Sequence, residues 1–347
     1  MTIFLLVLSS ILCLFTLLSL IRHDYWVFRV CEYPRLQKLV LTAICLILLI
    51  ACYEPGYLYL VLIAAMSLNA IYLLYLIVPF TILGKKHVMW VSEDLPQQRL
   101  SLMIANVYQY NRNSAGCLRE IQKADPDIVV LLETDQWWEE QTAELEKLYP
   151  YTVKEPLENT YGMLLFSRLE LISPEVKYLV EAGIPSIHTK LRMKNGQLVQ
   201  LFALHPTPPV PNENPRSTER DKELLLVADL AKECELPVIV IGDLNDVAWS
   251  YTTELFLKMS GLLDPRRGRG FYNSFHAHYP FLRFPLDHAF ISTDFKIRSM
   301  RRLKNFSSDH FPIFLHLQYE TKAREEQDNL EPEAADISLA EEKKNKI

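Results

Sequence analysis

Val238-Ile239-Val240-Ile241-Gly242-Asp243-Leu244-Asn245 is a β-branched run that stops at a glycine and releases a carboxylate and an amide. Branched side chains favour a strand, and an α/β domain carries its functional groups where strands end. The pattern recurs to either side. Upstream, Ile104-Ala105 ends in Asn106, Val129-Val130-Leu131-Leu132 in Glu133, and Leu201-Phe202-Ala203-Leu204 in His205. Downstream come Pro285-Leu286-Asp287-His288 and Ser307-Ser308-Asp309-His310-Phe311-Pro312. Singly, each has a plain explanation, because Asp and Asn favour turns and a solitary His is more often structural. Their repetition in order argues for one shared site.

Further β-rich runs lie at 100–105, 161–166, 187–191, 289–291 and 313–317, with helical spacing at 114–123 and 218–233 and, more weakly, at 139–148. The alternation predicts an α/β domain over 99–320 with helices on the outer faces. By itself it does not separate one doubly wound parallel sheet from two mixed sheets. Residues 85–98 read as a linker. From Thr321 to Ile347 the chain is charged and lacks aromatics, so a disordered tail is expected.

Residues 1–84 hold most of the excess apolar content of a chain that is 50% hydrophobic. Thr2 to Ile21 carries no charge and is long enough to cross a hydrocarbon core of about 30 Å. It lacks the basic start and small-residue cleavage site of a signal peptide. Leu39 to Tyr53 is a shorter run, extended by Leu36 to Lys38, before a turn at Glu54-Pro55-Gly56; Tyr57 to Leu83 is the longest. Three spans are expected, giving a multi-pass protein of the inner or plasma membrane. The stretch from Arg22 to Gln37 mixes Tyr25, Trp26, Phe28 and Tyr33 with Arg22, Arg29 and Arg35, as an interfacial segment would. Of 6 cysteines, only Cys117 and Cys234 fall in the soluble part, which argues against disulfides or a zinc site. A net charge of -6 speaks against indiscriminate nucleic-acid binding.

Carboxylates, amides and imidazoles without thiolates suit Mg²⁺ or Mn²⁺. Such a set matches phosphate ester hydrolysis, which needs charge neutralisation at phosphoryl oxygens, an oriented water and imidazoles tuned near neutrality. The order Asn106, Glu133, His205, Gly242-Asp243-Leu244-Asn245, Asp287, Ser308-Asp309-His310 resembles the endonuclease/exonuclease/phosphatase family. That resemblance implies a four-layer α/β sandwich of two mixed sheets flanked by helices, with the site at one end. It implies Glu133 as principal metal ligand, with Asn106 and Asp309 on the metal side. Asp243 would orient or deprotonate water, Asn245 would bind a phosphoryl oxygen, and His310 would contact the scissile phosphate with Asp287 fixing its tautomer. His205 fits the second histidine of the family, without an identifiable carboxylate partner. Arg168 is a candidate for supporting the substrate, or for a structural ion pair. His288 should face away from Asp287 and is left out of the site. Arg266-Arg267-Gly268-Arg269-Gly270 reads either as a flexible cationic grip for phosphates or lipid headgroups, or as a solvated loop.

With its three expected N-terminal spans, the aromatic and basic segment at 22–37 and the Arg266-Arg267-Gly268-Arg269-Gly270 loop, the chain resembles a bacterial membrane-associated subgroup of that family. The leading expectation is a metal-dependent phosphodiesterase or nuclease-like enzyme held in the bilayer. A phospholipid or sphingolipid phosphodiesterase or phosphatase is the second reading, and a non-catalytic membrane scaffold the third. Arg22, Arg29, Arg35, Lys38, Lys85 and Lys86 would put the catalytic domain in the cytoplasm by the positive-inside rule. Resemblance to envelope members points the other way, and no protein partner is inferable.

Overall fold

Strand residues that alternate in hydrophobicity can feed two cores at once, one from each face of a sheet. The computed structural model describes residues 2–52 and 56–346. In chain order the strands are β1 (Arg99–Asn106), β2 (Ile128–Leu132), β3 (Tyr151–Glu155), β4 (Met163–Ser167), β5 (Glu170–Lys177) and β6 (Ser186–Arg192). They continue as β7 (Leu198–Leu204), β8 (Val238–Asp243), β9 (Asp287–Ile291), β10 (Phe295–Arg302) and β11 (Ile313–Tyr319). One sheet has the order β10-β11-β1-β2-β4-β3 and the other β5-β6-β7-β8-β9. β1 runs parallel to β2 and β7 parallel to β8 among otherwise antiparallel neighbours, so both sheets are mixed.

Leu102 and Ile104 of β1 meet Ile239 and Ile241 of β8 in the core between the sheets. The alternate residues face outward. Met103 and Ala105 pack with Cys117 and Ile121 of helix α5 (Ser114–Ala124) and Trp138 of α6 (Gln136–Thr142), while Val238 and Val240 pack against α7 (Thr218–Glu233) and α8 (Tyr251–Ser260). The result is the expected four-layer sandwich. β3, β5 and β10, which hydrophobicity does not reveal, are all edge strands, where Lys154, Glu175 and Arg301 keep one side wet.

N-terminal to the sheets lie α1 (Thr2–Leu18), α2 (Trp26–Val30), α3 (Arg35–Ala51) and α4 (Tyr57–Ile77). Three spans were expected. Among the described residues, one helix, Tyr57–Phe80, is long and apolar enough to cross a membrane. With 17 residues each, α1 and α3 reach only about 25 Å at about 1.5 Å per residue. They pack on α4 through Leu5, Leu12, Cys45, Leu49, Tyr59 and Met66. The Glu54-Pro55 turn lies outside the described residues.

The segment expected at the headgroups instead docks on the sandwich. Trp26 N donates to Pro215 O at 2.9 Å, and Trp249 Nε1 to Glu32 O at 2.9 Å. The expected disordered tail is also corrected, because it folds as α9 (Ala323–Glu326) and α10 (Ala334–Asn345), with Ala340 in the core beside α7 and α8. Composition misleads here because the attachment is ionic. Lys343 Nζ is buried between Asp24 Oδ1 at 2.6 Å and Asp221 Oδ2 at 2.7 Å. Lys343→Ala would leave two buried carboxylates without that cation, a loss of about 3 kcal/mol and roughly 5–10 °C in thermal midpoint. A midpoint unchanged in Lys343→Ala would show that the tail is not integral to the fold.

Candidate active site

Each polar residue singled out at a strand end, except one, reaches the same end of the sandwich. Parallel pairing of β1 with β2 sets Asn106 beside Leu132 and thus Glu133, and β7 with β8 sets Leu204 beside Gly242. Antiparallel pairing places Asp243 opposite Asp287 and brings Ile313, just after His310, beside Ile104. Two glycines allow the close approach. A Cβ on Gly242 (φ 149°) would lie 1.8 Å from Leu204 O, and one on Gly162 1.9 Å from Thr134 O. Glu133 itself has φ 59°, a left-handed conformation costing a non-glycine residue on the order of 1 kcal/mol. The following turn holds it there, with Thr134 N donating to Gly162 O at 3.0 Å.

Asn106 is the hinge of the polar network. Its Nδ2 donates to Glu133 Oε1 at 2.7 Å and to Asp243 Oδ2 at 3.1 Å. Gln109 N donates to the other Glu133 oxygen at 3.3 Å, and Asn245 N to Asp243 Oδ1 at 3.0 Å. Across from Asn106, His310 lies between two carboxylates, with Nδ1 2.7 Å from Asp287 Oδ2 and Nε2 3.4 Å from Asp243 Oδ2. Ser308 Oγ ties the halves together by donating to Asn106 O and accepting from His310 N. Asn106, Asp243, Asp287 and His310 are buried, whereas Glu133, Asn245 and Asp309 are half-buried and form the mouth.

Burial drives the electrostatics. Desolvation opposes the charge on His310, but Asp287 and Asp243 outweigh it and raise the imidazole to about 10, so it is cationic at neutral pH. Burial pushes Glu133 up to about 7, with the Asn106 amide and His310 pulling the other way. Asp243 is likewise raised by burial, against the pull of His310. His205 is lowered to about 4 by burial, against Asp243. It is a neutral imidazole whose ring centroid lies 5.1 Å from that of Tyr161, and its buried Nδ1 lacks a partner among the described residues.

Arg168 is the exception. The register Ile128↔Ser167 puts it at the far end of β2, about 16 Å from Glu133 at about 3.3 Å per residue. It pairs there with Asp125 at 2.5 Å over the Tyr149 ring, so the structural ion pair is correct and the substrate role is withdrawn. His288 faces away as expected, bonded to Arg266 at 2.7 Å and Asp246 O at 2.8 Å. The cationic loop is not a solvated one, since Arg266 is buried on Asp264 and Gly268 N donates to Pro79 O at 2.8 Å. Gln109, Tyr33 and Arg220 escaped the sequence reading. Tyr33 OH donates to Asn245 O at 3.0 Å, and Arg220 Nη1 donates to the same carbonyl at 2.7 Å. Tyr33 lies in the N-terminal segment, so no motif announces it.

A divalent cation can be tested against these donors. Glu133 and Asp309 are half-buried and Asp243 is buried, the charges of Asp309 and Asp243 both act on Glu133, and among the described residues Asp309 Oδ1 is buried without a partner. That set fits a hard cation. Donor atoms of Asp243, Asp287 and His310 also lie within 4.8 Å of one another. There, however, His310 Nδ1 is already hydrogen-bonded to Asp287, so that trio reads as a charge relay rather than a metal cage.

Residues 103–310 match the Endonuclease/Exonuclease/phosphatase family. The chain belongs to this family. Hydrolysis of phosphate esters is the chemistry of the endonuclease/exonuclease/phosphatase family. A comparison with curated proteins returns no match. Solved structures share the fold. An endonuclease/exonuclease/phosphatase from Beutenbergia cavernae DSM 12333 is similar at 16% identity and TM-score 0.53, covering 65% of this chain and 72% of its own. D. rerio TDP2 complexed with single strand DNA product gives 17% and 0.53, covering 63% and 99%. The human Nocturnin catalytic domain with bound sulfate anion gives 20% and 0.51, covering 65% and 96%.

Proposed function

We propose that this protein is a divalent-metal-dependent phosphodiesterase, nuclease-like in its chemistry and anchored in a bilayer by its N-terminal helices. One observation carries the catalytic reading: a buried histidine clamped by Asp287 and Asp243 is joined through Asp243 to an Asn106–Glu133 pair, beside the half-buried Glu133, Asn245 and Asp309. Glu133, Asp309 and Asn106 would hold Mg²⁺ or Mn²⁺. Bound there, the cation supplies charge neutralisation for phosphoryl oxygens. Cationic His310 donates from Nε2 to a phosphoryl oxygen as negative charge grows on it. Asp243, raised by burial, accepts a proton from the attacking water. Asn245 offers its second amide hydrogen to the phosphate, its first being spent on Pro206 O at 2.9 Å. Neutral His205 hydrogen-bonds the ester rather than pairing with its charge.

Anchoring is supported by the 24-residue apolar helix Tyr57–Phe80 and by Ile11, Leu14, Ile47, Leu68 and Ile71, all exposed on the helical unit. The scaffold reading loses ground because every carboxylate, amide and imidazole of the site is in place.

Full-length protein in detergent, assayed on a soluble phosphodiester, a phosphomonoester, DNA and RNA, tests the proposal. Turnover should need Mg²⁺ or Mn²⁺ and vanish in excess EDTA. With Glu133 titrating at about 7, the metal concentration needed should fall as pH rises through that value, since only the carboxylate binds the cation. Full activity in EDTA would reject the mechanism.

A further inference from the structure

Between β8 and β9 the chain makes a short excursion whose two ends touch unlike surroundings. At its base, Phe275 pairs with Phe284 and with His310, and its ring centroid lies 5.0 Å from that of His310. Ala277 N donates to Asp309 O at 2.6 Å, so the excursion is built onto the strand end that carries the candidate site. Its tip is Tyr279-Pro280-Phe281-Leu282. There Phe281 is 87% exposed, Tyr279 58% and Leu282 54%. A soluble loop gains nothing by placing such side chains together in water.

The position of the tip relative to the anchor is given by two contacts. Gln37 Nε2 donates to Phe281 O at 2.8 Å. Gln37 is in the first turn of α3, and the exposed apolar side chains Val40 and Leu41 begin one turn on, about 4.5 Å along the axis at about 1.5 Å per residue. At the base, Phe275 and Phe284 pack in one cluster with Phe80, the last residue of the membrane-length helix. The tip therefore lies level with the start of one apolar helix, and its base beside the end of another. That level is the boundary where aromatic side chains partition into a bilayer surface.

From this placement we infer that residues 275–284 form a membrane-dipping hairpin, and that the substrate is a phosphodiester of a lipid headgroup presented from the bilayer beside it. The inference rests on the phosphodiesterase reading and names its substrate class. The tip enters the interface, its base borders His310, and a headgroup phosphate reaches the mouth formed by Glu133, Asn245 and Asp309 without its lipid leaving the membrane.

Full-length protein in nanodiscs of phosphatidylcholine and phosphatidylglycerol provides the test, with Phe281→Asp compared against wild type on three substrates. Expected is hydrolysis of a nanodisc phospholipid that falls at least tenfold in Phe281→Asp, while turnover of a soluble bis-aryl phosphate is unchanged. Equal lipid turnover by the two proteins overturns the inference. So does a wild type that cleaves a DNA oligonucleotide and leaves phospholipid intact. If no ester at all is cleaved, the phosphodiesterase reading fails. The hairpin is then judged by fluorescence: Phe281→Trp should add emission quenched by brominated acyl chains, and absence of quenching overturns the insertion too.

Discussion

His310→Ala lowers turnover of a phosphodiester by about 10²–10⁴-fold at saturating metal, the range of a positioned proton-sharing group. The imidazole is the one cation in contact with the buried carboxylates Asp243 and Asp287 at this end of the sandwich, among the described residues. Removing it takes away the donor for the phosphoryl oxygen and leaves Asp243 without its counter-charge. Asp287→Asn should cost less, because His310 keeps its place and its contact with Asp243. The pH profile separates this from a general loss of structure. In the wild type, activity should fall as pH rises through about 10, where His310 gives up its proton. Asp287→Asn removes one of the two carboxylates that raise His310, so this alkaline limb should move to lower pH. A variant that only disturbs packing would lose rate without moving the limb. Near wild-type turnover in His310→Ala would remove that residue from the mechanism.

How much of this could be read in the sequence follows from where each residue's partners lie. Asn106, Glu133, Asp243 and His310 follow apolar strands or precede one, and a strand end announces itself by a change of polarity. The pairing of strands then carries such residues to one place whatever their separation in the chain. Arg168 also follows an apolar strand, but β4 runs antiparallel to β2, so its end is the wrong end of the sheet. Hydrophobicity records where a strand stops and not its direction. Tyr33 and Lys343 show the converse limit. Both act through long-range contacts, Tyr33 to Asn245 O and Lys343 to Asp24 and Asp221, with no local pattern around them. Edge strands β3, β5 and β10 were silent because a wet edge carries the charges expected of a loop. Aromatic and basic residues at 22–37 read as interfacial on composition. Part of that surface is instead spent on contacts with the catalytic domain, such as the bond from Trp249 to Glu32 O.

Asp243 bears the heaviest part of the mechanism. Its carboxylate accepts from the Asn106 amide, accepts from Asn245 N and faces His310, so it touches both the metal-side and the phosphate-side groups. Asparagine at this position keeps the size and removes the negative charge. It leaves the water without its proton acceptor and His310 with only Asp287, and a loss of about 10²–10⁴-fold in turnover is expected. The decisive measurement is the rate of soluble phosphodiester hydrolysis by purified full-length protein in Mg²⁺, set beside Asp243→Asn of equal thermal stability. Metal-dependent hydrolysis that drops at least a hundredfold in Asp243→Asn is the predicted result. Equal rates in the two proteins, or no hydrolysis by the wild type with either Mg²⁺ or Mn²⁺, would contradict the assignment of this strand end as a phosphoesterase site.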